Sequence, residues 1–322
     1  MIFSRQASLA SEAFTYSTLL ALCTLALVYH FWTSTHTIYQ DIQYLHLNFL
    51  PPPPSSSIPK IIWYKLGPHG LNNDTQAWTD SCVTANPDYD IQFLTDEDAE
   101  DFVSSAFGNR PDILEAYFGL SVPILKADML RYMLLYDQGG IWSDLDISCS
   151  DVPIDDWIPP HFRGKAGLVV GWEFDVGWSP GIMRQFASWT IMARPGSPHM
   201  LTVVEDIVDA LHNVMKEHQV GIGNVTLSMT GDVVDFSGPR RLTTGVFKSL
   251  RHTLNRTVSP DEAKEILQPM LLGDVLVMPG RSFAALANDY SGKGEGSGLL
   301  PPQLVTHHYA GTWKNEQGGE FR

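Results

Sequence analysis

Residues 124–147, ILKADMLRYMLLYDQGGIWSDLDI, decide how this chain is read. Apolar residues recur at Leu125, Met129, Tyr132, Met133 and Tyr136, the spacing of one helical face, and Gly139 and Gly140 supply the left-handed exit that ends such a helix. The pattern predicts an amphipathic helix on which Asp128 and Arg131, three residues apart, share a face. Beyond the glycines, Ile141 opens an apolar strand that finishes in acid, so Asp144 and Asp146 are expected at a strand end near solvent. Such a carboxylate pair suits Mg²⁺ or Mn²⁺, which take oxygen ligands from one or two protein carboxylates, water and substrate phosphates, and which offset the charge of a leaving diphosphate. A merely solvated acidic turn has the same Asp-x-Asp spelling. The ordered run of Asp-x-x-Arg-Tyr, Gly-Gly and an aromatic strand separates the two readings.

Around this block, strands and helices alternate. Residues 60–66 and 89–94 read as strands, 74–85 as a helix, and Thr95 as the cap of a helix whose first turn holds Asp96, Glu97 and Asp98. Further on, 167–171 and 274–278 read as strands and 200–216 as an amphipathic helix. Alternation of this kind implies an α/β domain on a central, largely parallel sheet, with the active site at the strands' carboxyl ends.

With 322 residues, 44% of them hydrophobic, the chain is long enough for a full core, and its net charge of −15 argues against a nucleic-acid partner. Residues 14–32 carry no Asp, Glu, Lys or Arg, about the length that spans a hydrocarbon core, with Tyr16, Tyr29, Phe31 and Trp32 near the ends. A cleaved signal peptide or a buried helix would share part of this signature, but no small-x-small cleavage site follows, and the reading is an uncleaved transmembrane signal anchor. The organisation expected is a short cytosolic tail at 1–13, the anchor at 14–32, a Pro/Ser-containing stem at 33–57 and a catalytic body at 58–322. Sequons at Asn73, Asn224 and Asn255 all follow the span and agree with a luminal body. Cys82 and Cys149 lie on that side too. A disulfide between them is permitted, and so is a pair of buried thiols.

The body resembles glycosyltransferase family 32, in particular its fungal initiation-specific α-1,6-mannosyltransferases. The likeness is carried by residues 58–63 (IPKIIW), Trp78 with 86–89 (NPDY), 94–98 (LTDED), the block from Pro123 to Asp146, 237–239 (SGP), 275–279 (VLVMP) and 307–313 (HHYAGTW). It implies a single GT-A type (Rossmann-like) domain, GDP-mannose as donor, Mn²⁺ (or Mg²⁺), and retention of anomeric configuration. It further implies a glycan acceptor, first of all an N-glycan, a Golgi membrane location as a single-pass type II protein, and a complex with other Golgi glycosyltransferases.

Carried over residue by residue, the resemblance makes Asp146 a direct metal ligand. Asp144 would hold the ribose or sugar, and the metal through water. Asp128 and Arg131 would grip donor hydroxyls, although an ordinary i,i+3 ion pair is the plain alternative. Trp63 would stack on guanine or else pack in the core, and Trp313 would contact the diphosphate or close the site. His308 would complete the metal shell, with His307 as its rival because neighbours on an extended tail face opposite ways. Glu173 and Asp175 are the candidates if a side chain assists the chemistry; the leaving diphosphate can serve instead.

Three other readings compete. A mannosyltransferase acting on inositol phosphorylceramide belongs to the same family. A phosphatase-like hydrolase using Asp-x-Asp expects an apolar strand directly before the first Asp and a later acidic pair. A catalytically silent membrane-tethered lectin has no need of Asp144, Asp146, Arg131 and His308 together.

Overall fold

Short runs of Val, Ile, Leu and Met, too short for helices and bounded by Gly and Pro, become the strands of one sheet. The computed structural model describes residues 57–179, 182–291, 300–316 and 318–319, within the unit Pro54–Arg322. The expected anchor, Cys23 and the stem up to residue 56 lie outside the described residues. Among the described residues no helix is long and apolar enough to cross a membrane.

The elements run β1 (Ile61–Lys65), α1 (Asn73–Ala85), β2 (Asp90–Leu94), α2 (Asp96–Ala106), α3 (Pro111–Gly119), α4 (Pro123–Asp137), β3 (Gly140–Ser143), β4 (Ile147–Cys149), β5 (Leu168–Gly171), β6 (Thr190–Ala193), α5 (Pro198–His218), α6 (Pro239–Leu254), β7 (Met270–Leu272), β8 (Val275–Met278) and β9 (Val305–His307), with short helical turns between. Thr95 caps α2 as its sequence predicts, through a reciprocal box with Asp98.

The main sheet has the order β2-β1-β3-β6-β5-β8-β7, and β4 pairs with β9 in a separate two-stranded sheet. The β1–β2, β1–β3 and β5–β8 pairings are parallel and the other three antiparallel, so five strands share one direction and β6 and β7 oppose them. The reversal at β6 has a simple cause. No crossover helix separates β5 from β6, and without one the returning strand can only pair antiparallel. That connection, residues 172–189, is where Glu173 and Asp175 sit.

Strand side chains alternate between two cores. Trp142, Leu168, Val170, Ile191, Val275 and Val277 face the layer containing α4, α5 and α6, while Ile141, Val169, Met192, Leu276 and Met278 face a second layer with Trp157 and Phe283. Helix α4 departs from the amphipathic expectation: every residue from Asp128 to Leu135 is buried. It packs against β3 and β6 on one side and α5 on the other, so the stretch from Asp128 to Leu135 has no exposed residue, and its first turns edge the cleft.

The exit from α4 explains its two glycines. Gly139 and Gly140 have φ of +67° and +95°, and a Cβ on Gly139 would lie 2.6 Å from Pro195 Cδ. The Trp63 indole N–H donates to Gly139 O at 2.8 Å, tying β1 to the same turn. Cys82 of α1 and Cys149 of β4 form a disulfide, which anchors the chain three residues beyond Asp146.

Candidate active site

A cleft of about 680 Å³ opens across the carboxyl ends of β1 and β3, walled by α2, α4 and the segment after β9. Asp128, Arg131, Asp144, Asp146, Glu173 and Trp313 all line it; Trp63, Asp175 and His308 do not.

One buried cation organises the floor. Arg131 Nη2 lies 3.2 Å from Asp128 Oδ1 and 3.1 Å from Asp144 Oδ1, and its guanidinium stands over the Trp142 ring at 5.2 Å. The Trp142 indole N–H donates to the same Asp144 oxygen at 2.6 Å, and Ser237 Oγ donates to Asp128 Oδ2 at 2.7 Å. Burial pushes the Asp128 and Asp144 carboxyls up, against the opposing pull of Arg131; for Asp144 the neighbouring Asp146 charge pushes the same way as burial. The predicted i,i+3 pair therefore exists, but as part of a buried three-member cluster that reaches Asp144.

Asp146 is held differently. Its Oδ2 accepts from Ala310 N at 2.9 Å and lies 3.2 Å from His307 Nε2. Burial raises this carboxyl, yet the His307 contact and the Ala310 N–H outweigh it and hold Asp146 below the usual carboxylate range. An antiparallel register that sets Ile147 opposite His307 brings the pair together. His307 also stacks on Trp189, with ring centroids 4.1 Å apart, and leaves its Nδ1 buried and unpartnered among the described residues. His308 points the other way, stacking on Trp78 at 4.2 Å and bonding Ser148 Oγ at 2.8 Å. Of the two histidines, the structure turns His307 toward Asp146.

The remaining candidates separate. Glu173 is buried at the cleft wall, where Gln185 Nε2 donates to it at 2.7 Å; burial pushes its carboxyl up, opposed by that bond and by the charges of His307, Lys314 and Arg240. Asp175 is spent elsewhere, paired with Arg184 at 3.1 Å and accepting from Glu265 N at 2.8 Å. Trp63 is not among the residues that line the cleft, and its indole N–H donates to Gly139 O. Trp313 is half-buried on the segment that follows β9.

Sequence reasoning missed Gln185, and nothing in its spacing singles it out. Ser237 was within reach through the 237–239 loop, although only the fold shows that the loop braces Asp128.

The cleft's donor set can be tested against a metal. Asp144 and Asp146 offer the hard oxygens that Mg²⁺ and Mn²⁺ prefer. Among the described residues, no three His, Cys, Asp or Glu side chains converge into a ready-made cage. The pair fits a metal that shares its shell with substrate phosphates and water, and does not fit a closed structural site.

Residues 72–162 match the family described as "Glycosyltransferase sugar-binding region containing DXD motif". The chain is 31% identical over 276 residues to the initiation-specific alpha-1,6-mannosyltransferase of Schizosaccharomyces pombe, covering 82% of this chain and 66% of that protein. It is 28% identical over 297 residues to the protein of the same name from Candida albicans, covering 81% and 74%. The inositol phosphoceramide mannosyltransferase 3 of S. pombe matches at 33% identity over 96 residues, 30% of this chain and 26% of that protein. The chain thus spans about two thirds of the first relative and three quarters of the second. It belongs to the glycosyltransferase family whose sugar-binding region carries the DXD motif.

Proposed function

We propose that this chain is a metal-dependent, retaining mannosyltransferase of GT-A type that transfers mannose from GDP-mannose to a glycan, as the α-1,6 step that initiates the outer chain of N-glycans. The observation that carries this reading is the charge of the cleft. Six carboxylates (Asp96, Glu100, Asp128, Asp144, Asp146, Glu173) line it against four cations (Lys65, Lys126, Arg131, Lys314), an excess of two negative charges. A nucleoside diphosphate entering such a cleft is repelled unless a divalent cation enters with it, and the carboxylates of Asp144 and Asp146 would receive that cation. Bound there, Mn²⁺ or Mg²⁺ would neutralise charge on the departing diphosphate.

The chain's own residues do the rest. Asp128, Arg131 and Asp144 present a rigid set of oxygens and N–H groups to the donor sugar, locked by Trp142 and Ser237, so positioning requires little reorganisation. His307 and Ala310 N–H hold Asp146 ionised and oriented, as hydrogen-bonded partners of metal ligands do. Glu173, at the cleft wall within reach of the His307 charge, is the side chain available to assist an acceptor hydroxyl. The long match to the two initiation-specific enzymes supports an N-glycan acceptor over inositol phosphoceramide, whose enzyme matches over 96 residues. A Golgi membrane location with a luminal body belongs to the same proposal; Asn73, Asn224 and Asn255 are all exposed, as sequons that receive glycans must be.

The test is GDP-mannose turnover by the full-length chain with Mn²⁺, with and without a high-mannose acceptor, followed by linkage analysis. We expect transfer that a chelator abolishes and that Asp146→Asn lowers by at least about a hundredfold in kcat with the fold intact. Binding of mannose without any donor cleavage would instead identify a lectin. Transfer only to inositol phosphorylceramide would move the acceptor to lipid.

A further inference from the structure

The cations of the cleft are not equivalent. Lys65 Nζ is 2.7 Å from Asp96, Lys126 Nζ is 2.8 Å from Glu100, and Arg131 is held between Asp128 and Asp144. Each of these charges is already matched by a carboxylate. Lys314 is exposed, lines the same cleft, and has no carboxylate within 4.0 Å among the described residues. Its ammonium stands 5.8 Å from the centre of the Trp313 ring, and its charge is felt by Glu173 on the cleft wall.

The segment that carries Lys314 is fastened at both ends to the donor site. At one end, His308 N donates to Asp146 O and Ala310 N to Asp146 Oδ2, each at 2.9 Å. At the other, Ile124 N in the first turn of α4 donates to Gly318 O at 2.8 Å. Between them Gly311, with φ of +64°, turns the chain, and Lys314 N closes that turn on Gly311 O at 2.9 Å. Residues 307–316, with Gly318 and Gly319, thus strap Asp146 to the start of the helix that bears Asp128 and Arg131. Lys314 lies along this strap and lines the same cleft as Asp146.

We propose that Lys314 is a catalytic residue that contacts the diphosphate of the donor and stabilises it as the leaving group. The proposal rests on the nucleotide-sugar reading above. In the transfer, the bond between the sugar's anomeric carbon and the diphosphate oxygen breaks and its electron pair stays on that oxygen. The bond from the acceptor oxygen to the anomeric carbon forms, and the acceptor's proton leaves with the diphosphate. Negative charge grows on the terminal phosphate as the bond breaks. An ammonium with no carboxylate within 4.0 Å among the described residues stabilises that phosphate more in the transition state than in the bound donor. A lysine suits this place because it meets phosphate as a point charge on a flexible stem.

The experiment compares Lys314→Ala, Lys314→Arg and Lys165→Ala in the full-length chain, the last removing an equal charge from an exposed position outside the cleft lining. Binding of GDP and of GMP is measured by calorimetry in Mn²⁺, and kcat and KM with GDP-mannose. We expect Lys314→Ala to weaken GDP by about tenfold or more, to leave GMP within about twofold, and to lower kcat as well as raise KM, with Lys314→Arg restoring most of both. Equal losses for GDP and GMP, or the same losses in Lys165→Ala, would overturn the proposal. If the wild-type chain prefers another nucleoside diphosphate to GDP, the mannosyl donor reading fails while the diphosphate-over-monophosphate contrast is read on that nucleotide. A wild-type chain with no preference for diphosphate over monophosphate overturns the Lys314 assignment whatever its donor.

Discussion

His307 and His308 are adjacent and chemically identical, yet one reaches Asp146 and the other lies flat on Trp78. Strand geometry at the end of β9 sends neighbours to opposite faces, and the β4 register selects which face meets Asp146. His307→Ala should therefore weaken apparent Mn²⁺ affinity by about tenfold or more, the usual cost of losing a group that orients a ligand. His308→Ala should leave it near wild type. The pH response has a definite sign. Asp146 is held below the ordinary aspartate range, so in the wild-type chain its protonation competes with metal only at lower pH than that of an ordinary aspartate would. Without His307 its carboxyl rises, and the loss of metal affinity should move to higher pH. Activity titrated against Mn²⁺ at several pH values checks this, and a shift in His308→Ala alone would contradict it.

At the scale of elements, the turn from α4 into β3 places the acidic pair. Trp63 fixes that turn from the neighbouring strand through its bond to Gly139 O. Trp63→Phe should keep the ring's packing and lose the bond, lowering stability by about 1 kcal/mol while nucleotide affinity stays within a factor of two. Denaturant unfolding paired with GDP calorimetry separates this from base stacking, which would show the reverse: unchanged stability and weakened GDP. The 63–142 register explains why the sequence reading left Trp63 open. A tryptophan emerging from a first strand has the same spelling whether it faces the cleft or the next strand's turn, and the parallel pairing of β1 with β3 selects the second. Asp175 followed the same logic. Two residues from Glu173, it would share Glu173's face on a continuing strand, but β5 ends at Gly171 and Asn288 takes the N–H groups of Asp175 and Val176, turning it toward Arg184.

Across the whole molecule, the Cys82–Cys149 bond closes a loop of 67 residues that contains β2, α2, α3, α4 and β3, the elements that form most of the donor side of the cleft. Loop-closure entropy for that length amounts to about 4 kcal/mol, an upper figure because strain and residual unfolded structure reduce it. Cys82→Ser with Cys149→Ser should lower Tm by roughly 10 °C for a domain of this size. Thermal unfolding of the double variant, read alongside GDP binding at low temperature, measures it, and an unchanged Tm would show that the bridge constrains nothing the rest of the fold does not. The α4 block, the Gly-Gly stop, the capped start of α2 and the strands β1, β2, β5 and β8 were legible in the sequence because periodicity, capping and turn chemistry are local. So was the acidic pair that marks the family. The antiparallel insertion of β6, the burial of α4 from Asp128 to Leu135, the turning of His307 toward Asp146, the closure of the disulfide and the strap that carries Lys314 to the cleft all depend on residues far apart in the chain. Each is settled by strand order and register, which no local pattern encodes, because a side chain's partner is determined by which element packs beside it.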